Sequence, residues 1–230
     1  MIFTWLGHGS FRLEIGSEVL LIDPWLDENP ALPKEHHGAA VEGATQILVT
    51  HGHFDHTISV VPLSEAAGLP VSGPYELVNH LKSLGAAEGL AFQPGGTVDF
   101  GDVHVSMVPA SHSSSYKSGG VVSYTGCEVG YMIHGEGRTI YFSGDTGITA
   151  EMDWMGDYYK PEIGVLSAGG HFTMDMKGAA YAAKRYFNFK TVIPGHYKTF
   201  PMLEQTADAL IAGLPGVDVK TPEVMEPIEL

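Results

Sequence analysis

Short apolar runs punctuated by glycine set the rhythm of this chain. Alternating or continuous apolar stretches predict β-strands at Ile2–Leu6, Phe11–Ile15, Glu18–Ile22, Gln46–Val49, Val103–Val108, Val129–Ile133, Thr139–Phe142, Ile163–Leu166 and Thr191–Ile193. Longer stretches with helical spacing predict helices near Ile58–Ala67, Pro74–Leu84, Ala150–Tyr159, Lys177–Phe187 and Leu203–Leu214. The mixture is α with β, and strands lead each half. The Ser- and Gly-rich segment Ser113–Thr125 separates the halves. It reads as a mobile loop inside one domain spanning residues 1–230, because either half alone would have a thin core. No repeat, low-complexity tract or heptad pattern appears, and the scattered prolines mark no linker.

Composition narrows the class. Apolar residues make up 44% of the 230 and charged residues 17%, a balance suited to a globular fold with a substantial core. The formal charge of −15, from 27 Asp and Glu against 12 Lys and Arg, repels phosphate backbones and anionic membranes, and no basic run offsets it. Nucleic acid and membrane are therefore not expected partners. The start of the chain lacks the charged and apolar regions of a signal peptide, and no stretch is apolar enough to span a bilayer. A single cysteine, Cys127, allows no intrachain disulfide and fits a reducing compartment, so a cytoplasmic location is expected.

The chemistry concentrates in His51-Gly52-His53-Phe54-Asp55-His56, directly after the apolar run Ile47-Leu48-Val49. On an extended backbone alternate residues face the same way, so His51 and His53 can present two imidazoles to one metal ion. Asp55 and His56 can serve a second ion if the chain turns there. Imidazole and carboxylate at this density suit borderline ions such as zinc. Two ions need more ligands than one loop provides, and further candidates stand just past the ends of apolar strands: His112, Asp145 and His196. A sheet delivers such positions to a common rim. Water held between two divalent ions ~3.5–4 Å apart has its pKa lowered from roughly 15.7 toward about 7, which makes a hydrolytic nucleophile available at neutral pH. Asp55 is the candidate to orient that water and accept its proton.

These residues resemble the metallo-β-lactamase superfamily. The run Thr50-His51-Gly52-His53-Phe54-Asp55-His56 matches that family's HxHxDH signature, and Ser143-Gly144-Asp145-Thr146-Gly147 matches its aspartate motif. The likeness extends over nearly the whole chain. It is nearest to the small bacterial ascorbate-lactonase-like branch, through Trp5-Leu6-Gly7-His8-Gly9-Ser10-Phe11, Leu21-Ile22-Asp23-Pro24, Gly169-Gly170-His171-Phe172-Thr173-Met174 and Pro194-Gly195-His196-Tyr197-Lys198-Thr199-Phe200-Pro201. The resemblance implies an α/β fold of four layers, an αββα sandwich with metals at one edge of two sheets. It implies His51, His53 and His112 on a first metal, Asp55, His56 and His196 on a second, and Asp145 between them. Lys198 stands where the branch leads one to expect asparagine.

Other residues have less context. His171, in a Gly-rich loop, is a candidate to bind substrate or donate a proton, and otherwise caps the loop. His8 is a candidate to hydrogen-bond a metal ligand. Asp23 either braces a ligand histidine or terminates its strand. His36 and His37 read as solvent-exposed, and His80, His104 and His134 as structural or surface positions. The expected activity is hydrolysis of an ester, lactone, amide or phosphodiester in a small molecule, with two divalent ions, Zn2+ first and Mn2+ or Fe2+ after it. The alternatives are an iron-dependent oxidoreductase at the same site and a non-catalytic metal-binding protein. Oxygen-reducing relatives replace the second histidine of the motif with glutamate and add a flavin domain, whereas His53 is intact here. Related proteins often pair, so a homo-oligomer is also an expectation.

Overall fold

Alternation along the strands decides the layering, because successive residues of a strand point to opposite faces. The computed structural model describes residues 1–230. In chain order the strands are β1 (Ile2–Trp5), β2 (Phe11–Ile15), β3 (Glu18–Ile22), β4 (Gln46–Leu48), β5 (Pro70–Pro74), β6 (Ala87–Phe92), β7 (Thr97–Asp99), β8 (His104–Pro109), β9 (Ser115–Ser118), β10 (Val121–Tyr124), β11 (Val129–Gly135), β12 (Arg138–Phe142), β13 (Ile163–Ser167), β14 (Thr191–Gly195), β15 (Asp218–Val219) and β16 (Pro227–Glu229). The helices are α1 (His37–Val41), α2 (Phe54–Thr57), α3 (Val60–Ala67), α4 (Tyr75–Ser83), α5 (Met152–Tyr159), α6 (Met176–Tyr186) and α7 (Asp208–Gly213), with one 3-10 turn at Lys34–His36.

Two seven-stranded sheets form, in the orders β16-β1-β2-β3-β4-β5-β6 and β15-β14-β13-β12-β11-β8-β7. Along β3, Leu20 and Ile22 enter the core between the sheets while Leu21 faces the other way. Leu48 enters that central core as well, and Ile47 and Val49 join Leu21 on the outer face. That outer face is covered by Val60 of α3 and by Leu77, Val78 and Leu81 of α4. In the second sheet Phe142 meets Phe3 and Phe11 across the central core, with ring centroids 6.4 and 5.7 Å apart. Its neighbour Tyr141 turns outward and stacks on Phe187 just past α6. Met152 and Met155 of α5, the alanines of α6 and Leu210 of α7 cover this outer face. The result is the four-layer αββα sandwich. No helix is long and apolar enough to cross a membrane.

Strand direction then gathers the chemistry. β3, β4, β5 and β6 run parallel, as do β12, β13, β14 and β15. Antiparallel pairing through β2 and through β11 turns β1 and β8 the same way as these parallel sets. The segments that follow β1, β3, β4, β8, β12 and β14 therefore leave the sandwich at one edge.

The structure departs from the sequence reading in several places, among them the short elements α1, α2, β7, β15 and β16, which no apolar run marked. The segment Ser113–Thr125 is a two-stranded hairpin, β9 with β10, in place of an irregular loop. Its turn residues Gly119 and Gly120 have φ of 55° and 83°, the mirror-image turn geometry that closes two-residue hairpins. The strands β5 and β6 were not expected: Pro70, Gly73 and Gly89 interrupt their apolar runs, and Pro74 stands where the following helix was expected to begin. The helix expected over Leu203–Leu214 shortens to Asp208–Gly213.

One cross-sheet hydrogen bond fixes the strand that carries the histidine motif. The buried Tyr131 hydroxyl donates to the Val49 carbonyl, two residues before His51. Tyr131→Phe leaves that carbonyl without its donor and should cost ~1–3 kcal/mol of stability. The check is the urea midpoint of metal-loaded protein against the parent.

Candidate metal centre

Seven residues from distant parts of the chain meet at this edge. His51 and His53 follow β4; the chain then turns into α2, whose first residues bring Asp55 and His56 inward. His112 follows β8, Asp145 follows β12 and His196 follows β14. The ring nitrogens of His51, His53 and His112 form one group: His51 Nε2 and His112 Nε2 lie 3.0 and 3.3 Å from His53 Nδ1. Asp55, His56 and His196 form a second, with Asp55 Oδ2 at 3.7 Å from His56 Nε2 and 3.6 Å from His196 Nε2. Asp145 Oδ2 stands between the groups, 4.0 Å from His51 Nε2, 3.7 Å from His112 Nε2, 3.5 Å from His56 Nε2 and 3.0 Å from His196 Nε2.

These spacings suit cations. Four ligands at ~2.0–2.1 Å around a tetrahedral ion lie roughly 3.3–3.4 Å from one another. Several of the separations above fall close to that edge length. A second observation agrees: His56 Nε2 is buried and has no hydrogen-bond partner in the protein, although it faces both Asp55 and Asp145. Buried polar atoms are rarely left so.

Surrounding hydrogen bonds orient the rings. Asp23, just past β3, accepts from the Thr50 backbone N–H at 2.7 Å, from the Thr50 hydroxyl and from His56 Nδ1 at 2.8 Å. Because the Thr50 hydroxyl gives its proton to Asp23, it accepts from His51 Nδ1 at 3.0 Å. Asp23 thus sets two imidazoles at once, each with Nε2 turned toward the centre. Opposite it, His8 Nε2 donates to Asp55 Oδ2 at 2.9 Å, while His8 Nδ1 lies 3.0 Å from the Thr199 hydroxyl. Burial pushes the His8 imidazole down to about 4, more than its bond to Asp55 raises it, which fits this neutral tautomer.

The electrostatics are those of carboxylates held in a dry place. Burial alone would raise Asp55 and Asp145, but the charges and hydrogen bonds of His56 and His196 outweigh it and hold both far below the usual carboxylate range. Reciprocally, burial would lower His196, yet Asp145 and Asp55 lift it to about 9, and His56 is raised in the same way. Positive charge is thus drawn to this spot, and a divalent cation can take over the role those imidazole protons play.

The backbone is unusual here too. His8, Asp23 and His196 have φ of 54°, 48° and 60°, the left-handed region that non-glycine residues avoid. The His196 N–H donates to the His8 carbonyl at 2.8 Å, and the Asp23 N–H to the Leu48 carbonyl at 2.9 Å, which helps to hold these turns. Gly9 is required by close approach: a Cβ there would stand 2.7 Å from His56 Cε1.

The cleft over this centre, about 450 Å³, is lined by His8, His53, Asp55, His112, Asp145 and His196, with Ser113 and an apolar set described below. His171 does not join it. Its side chain is exposed, lies edge-on to Phe172 and belongs to neither group of ligating atoms; the neighbouring Phe172 lines the cleft instead. His171 stands in its loop with a left-handed φ of 50°. Lys198 lies outside the cleft as well, with Nζ 3.6 Å from Glu223 and above the Tyr197 ring. His36, His37, His80, His104 and His134 are likewise remote. Sequence reasoning overlooked Thr50 and the apolar lining; the signal for Thr50 was its place directly before His51.

Comparisons with known proteins agree with this architecture. A family model for the beta-lactamase superfamily domain matches residues 19–197. A UPF0173 metal-dependent hydrolase from Ruegeria pomeroyi is 61% identical over 230 residues, 100% of both chains. Among solved structures, Igni18, a metallo hydrolase from the hyperthermophilic archaeon Ignicoccus hospitalis, superposes with a TM-score of 0.84 at 28% identity, covering 99% of this chain and 97% of that one. An isothiocyanate hydrolase from Delia radicum gut bacteria shares the fold, with a TM-score of 0.76 at 17% identity over 100% of this chain and 99% of that one. Fold and sequence together define a protein of the β-lactamase superfamily. Within it, the chain belongs to the UPF0173 metal-dependent hydrolases.

The packing at Gly9 makes a direct forecast. Gly9→Ala should push the His56 ring aside and destabilise the fold by roughly 1–3 kcal/mol through overpacking. Thermal unfolding of variant and parent at equal metal content measures it.

Proposed function

We propose that this chain is a dinuclear hydrolase that turns water against an ester, lactone, amide or phosphodiester bond of a small molecule. One observation carries the reading: a single carboxylate oxygen, Asp145 Oδ2, faces imidazole nitrogens of both groups within 4.0 Å. His51, His53 and His112 would hold one ion, Asp55, His56 and His196 the other, and Asp145 would contact both. Nitrogen-rich sites with carboxylates favour Zn2+, with Mn2+ or Fe2+ as substitutes. When bound, such a pair of ions supplies acidified water and a Lewis acid for the substrate oxygen.

The remaining work falls to the protein. Asp55, with its Oδ2 held by His8, is placed to orient the attacking water. Asp145 fixes the separation of the two groups. Asp23 and Thr50 keep His51 and His56 turned inward. The Ser113 hydroxyl lies 3.3 Å from His53 Nε2 and sets that ring at the cleft mouth. The occupant we propose is a small molecule in solution, since the acidic surface disfavours nucleic acid and anionic membranes.

Protein purified without added metal should carry close to two equivalents of zinc, manganese or iron by elemental analysis; fewer than one, with all seven side chains intact, contradicts the dinuclear reading. Asp23→Asn keeps the volume but removes the acceptor shared by Thr50 and His56. It should weaken metal retention roughly 10–100-fold in a chelator competition, and an unchanged affinity would remove Asp23 from the scheme.

A further inference from the structure

Rings of exposed apolar side chains are uncommon beside a charged centre unless something apolar binds there. Four of the cleft's lining residues are Phe54, Phe172, Phe200 and Met202. Phe54, Phe172 and Met202 remain 55%, 52% and 56% exposed, so they do not serve the core. Phe54 and Phe200 are held in place from behind by the buried Trp25, whose ring lies 5.7 and 6.0 Å from theirs. The wall is thus backed by packing. The only other residue of the lining outside the cation-facing cluster is Ser113. No Lys or Arg contributes: Lys198, the nearest basic residue in the His196 loop, is directed to Glu223.

We propose, resting on the hydrolase reading above, that the cleft selects a neutral carbonyl substrate, an ester, lactone or amide, bearing an aromatic or comparably bulky apolar group. The reactive carbonyl lies over the histidine and aspartate cluster while the apolar group lies among Phe54, Phe172, Phe200 and Met202. A substrate with a charged distal end finds no Lys or Arg among these apolar residues and must give up hydration to the wall they form. The volume, about 450 Å³, falls within the range of pockets that enclose whole small molecules. In the step itself, the water oxygen bonds to the carbonyl carbon and the bond from that carbon to the leaving oxygen or nitrogen breaks. One water proton goes to the leaving group and the resulting acid loses its own to solvent.

The test uses metal-loaded full-length protein in two arms. The first measures binding by calorimetry of 4-phenylbutan-2-one, a neutral ketone that cannot be hydrolysed, against the same ketone carrying a para-carboxylate on its ring. The neutral ketone should bind at least about tenfold tighter, and Met202→Lys should shrink or reverse that ratio; equal or inverted affinities in the parent overturn the proposal. The second arm compares kcat/KM for benzyl and methyl esters of one acid and for methyl 4-nitrophenyl phosphate. Benzyl should exceed methyl by roughly 10–100-fold, the worth of burying one ring, and Phe172→Ala should cut that ratio at least about fivefold. A preference for the phosphodiester overturns the proposal but leaves a hydrolase. Selective binding of the neutral ketone without turnover of any ester removes the hydrolase reading and leaves the apolar selectivity standing.

Discussion

Negative charge buried among imidazoles is the constraint around which this edge of the molecule is arranged. Asp23, Asp55 and Asp145 are all nearly or fully shielded from water, and a carboxylate in such a place is costly unless cations or hydrogen bonds surround it. Every nearby element answers that demand. β3 and β4 deliver Asp23 and Thr50, α2 turns Asp55 and His56 inward, and the segments after β8, β12 and β14 close the remaining sides. The same arrangement that makes the carboxylates tolerable makes the spot attractive to metal ions. Stability and chemistry are therefore not separable here: the imidazoles that make the buried carboxylates tolerable are the same ones that can ligate metal.

The local conformations support this view. Three residues of the centre adopt left-handed backbone angles that glycine would accept more readily. Each has a polar side chain that meets a partner in the cluster: His8 meets Asp55, Asp23 meets His56, and His196 meets Asp145. Strain of this kind, on the order of 1 kcal/mol or more per residue, persists where packing and hydrogen bonding over-determine it.

Much of this was legible in the residues themselves. The short strands β2 and β3 stand where the apolar pattern puts them, because neither contains a glycine or proline: β2 buries alternate side chains and β3 carries a continuous apolar run. Likewise the density of histidine in the motif, and the placement of His112, Asp145 and His196 after strands, point to one rim. What escaped has physical causes. β5 and β6 have interrupted apolar runs because proline and glycine are accepted where neighbouring backbone comes close, as at Gly73 and Gly89, where a Cβ would meet the carbonyl oxygens of Val49 and Val71. His171 stands in a loop whose backbone angle no periodicity encodes. Nor could an apolar wall be read from Phe54, Phe172, Phe200 and Met202, which lie in three separate segments and share a cleft only after folding.

The contact between His8 and His196 joins the first loop of the chain to one of its last, with ring centroids 3.8 Å apart. A ribosome releases the amino terminus long before residue 196 emerges, so the growing polypeptide spends most of its synthesis with a histidine-rich motif and no complete cage. The cluster is consequently closed only when nearly all of this sequence has been made, and a chain that stops short of His196 lacks the imidazole that faces both Asp55 and Asp145.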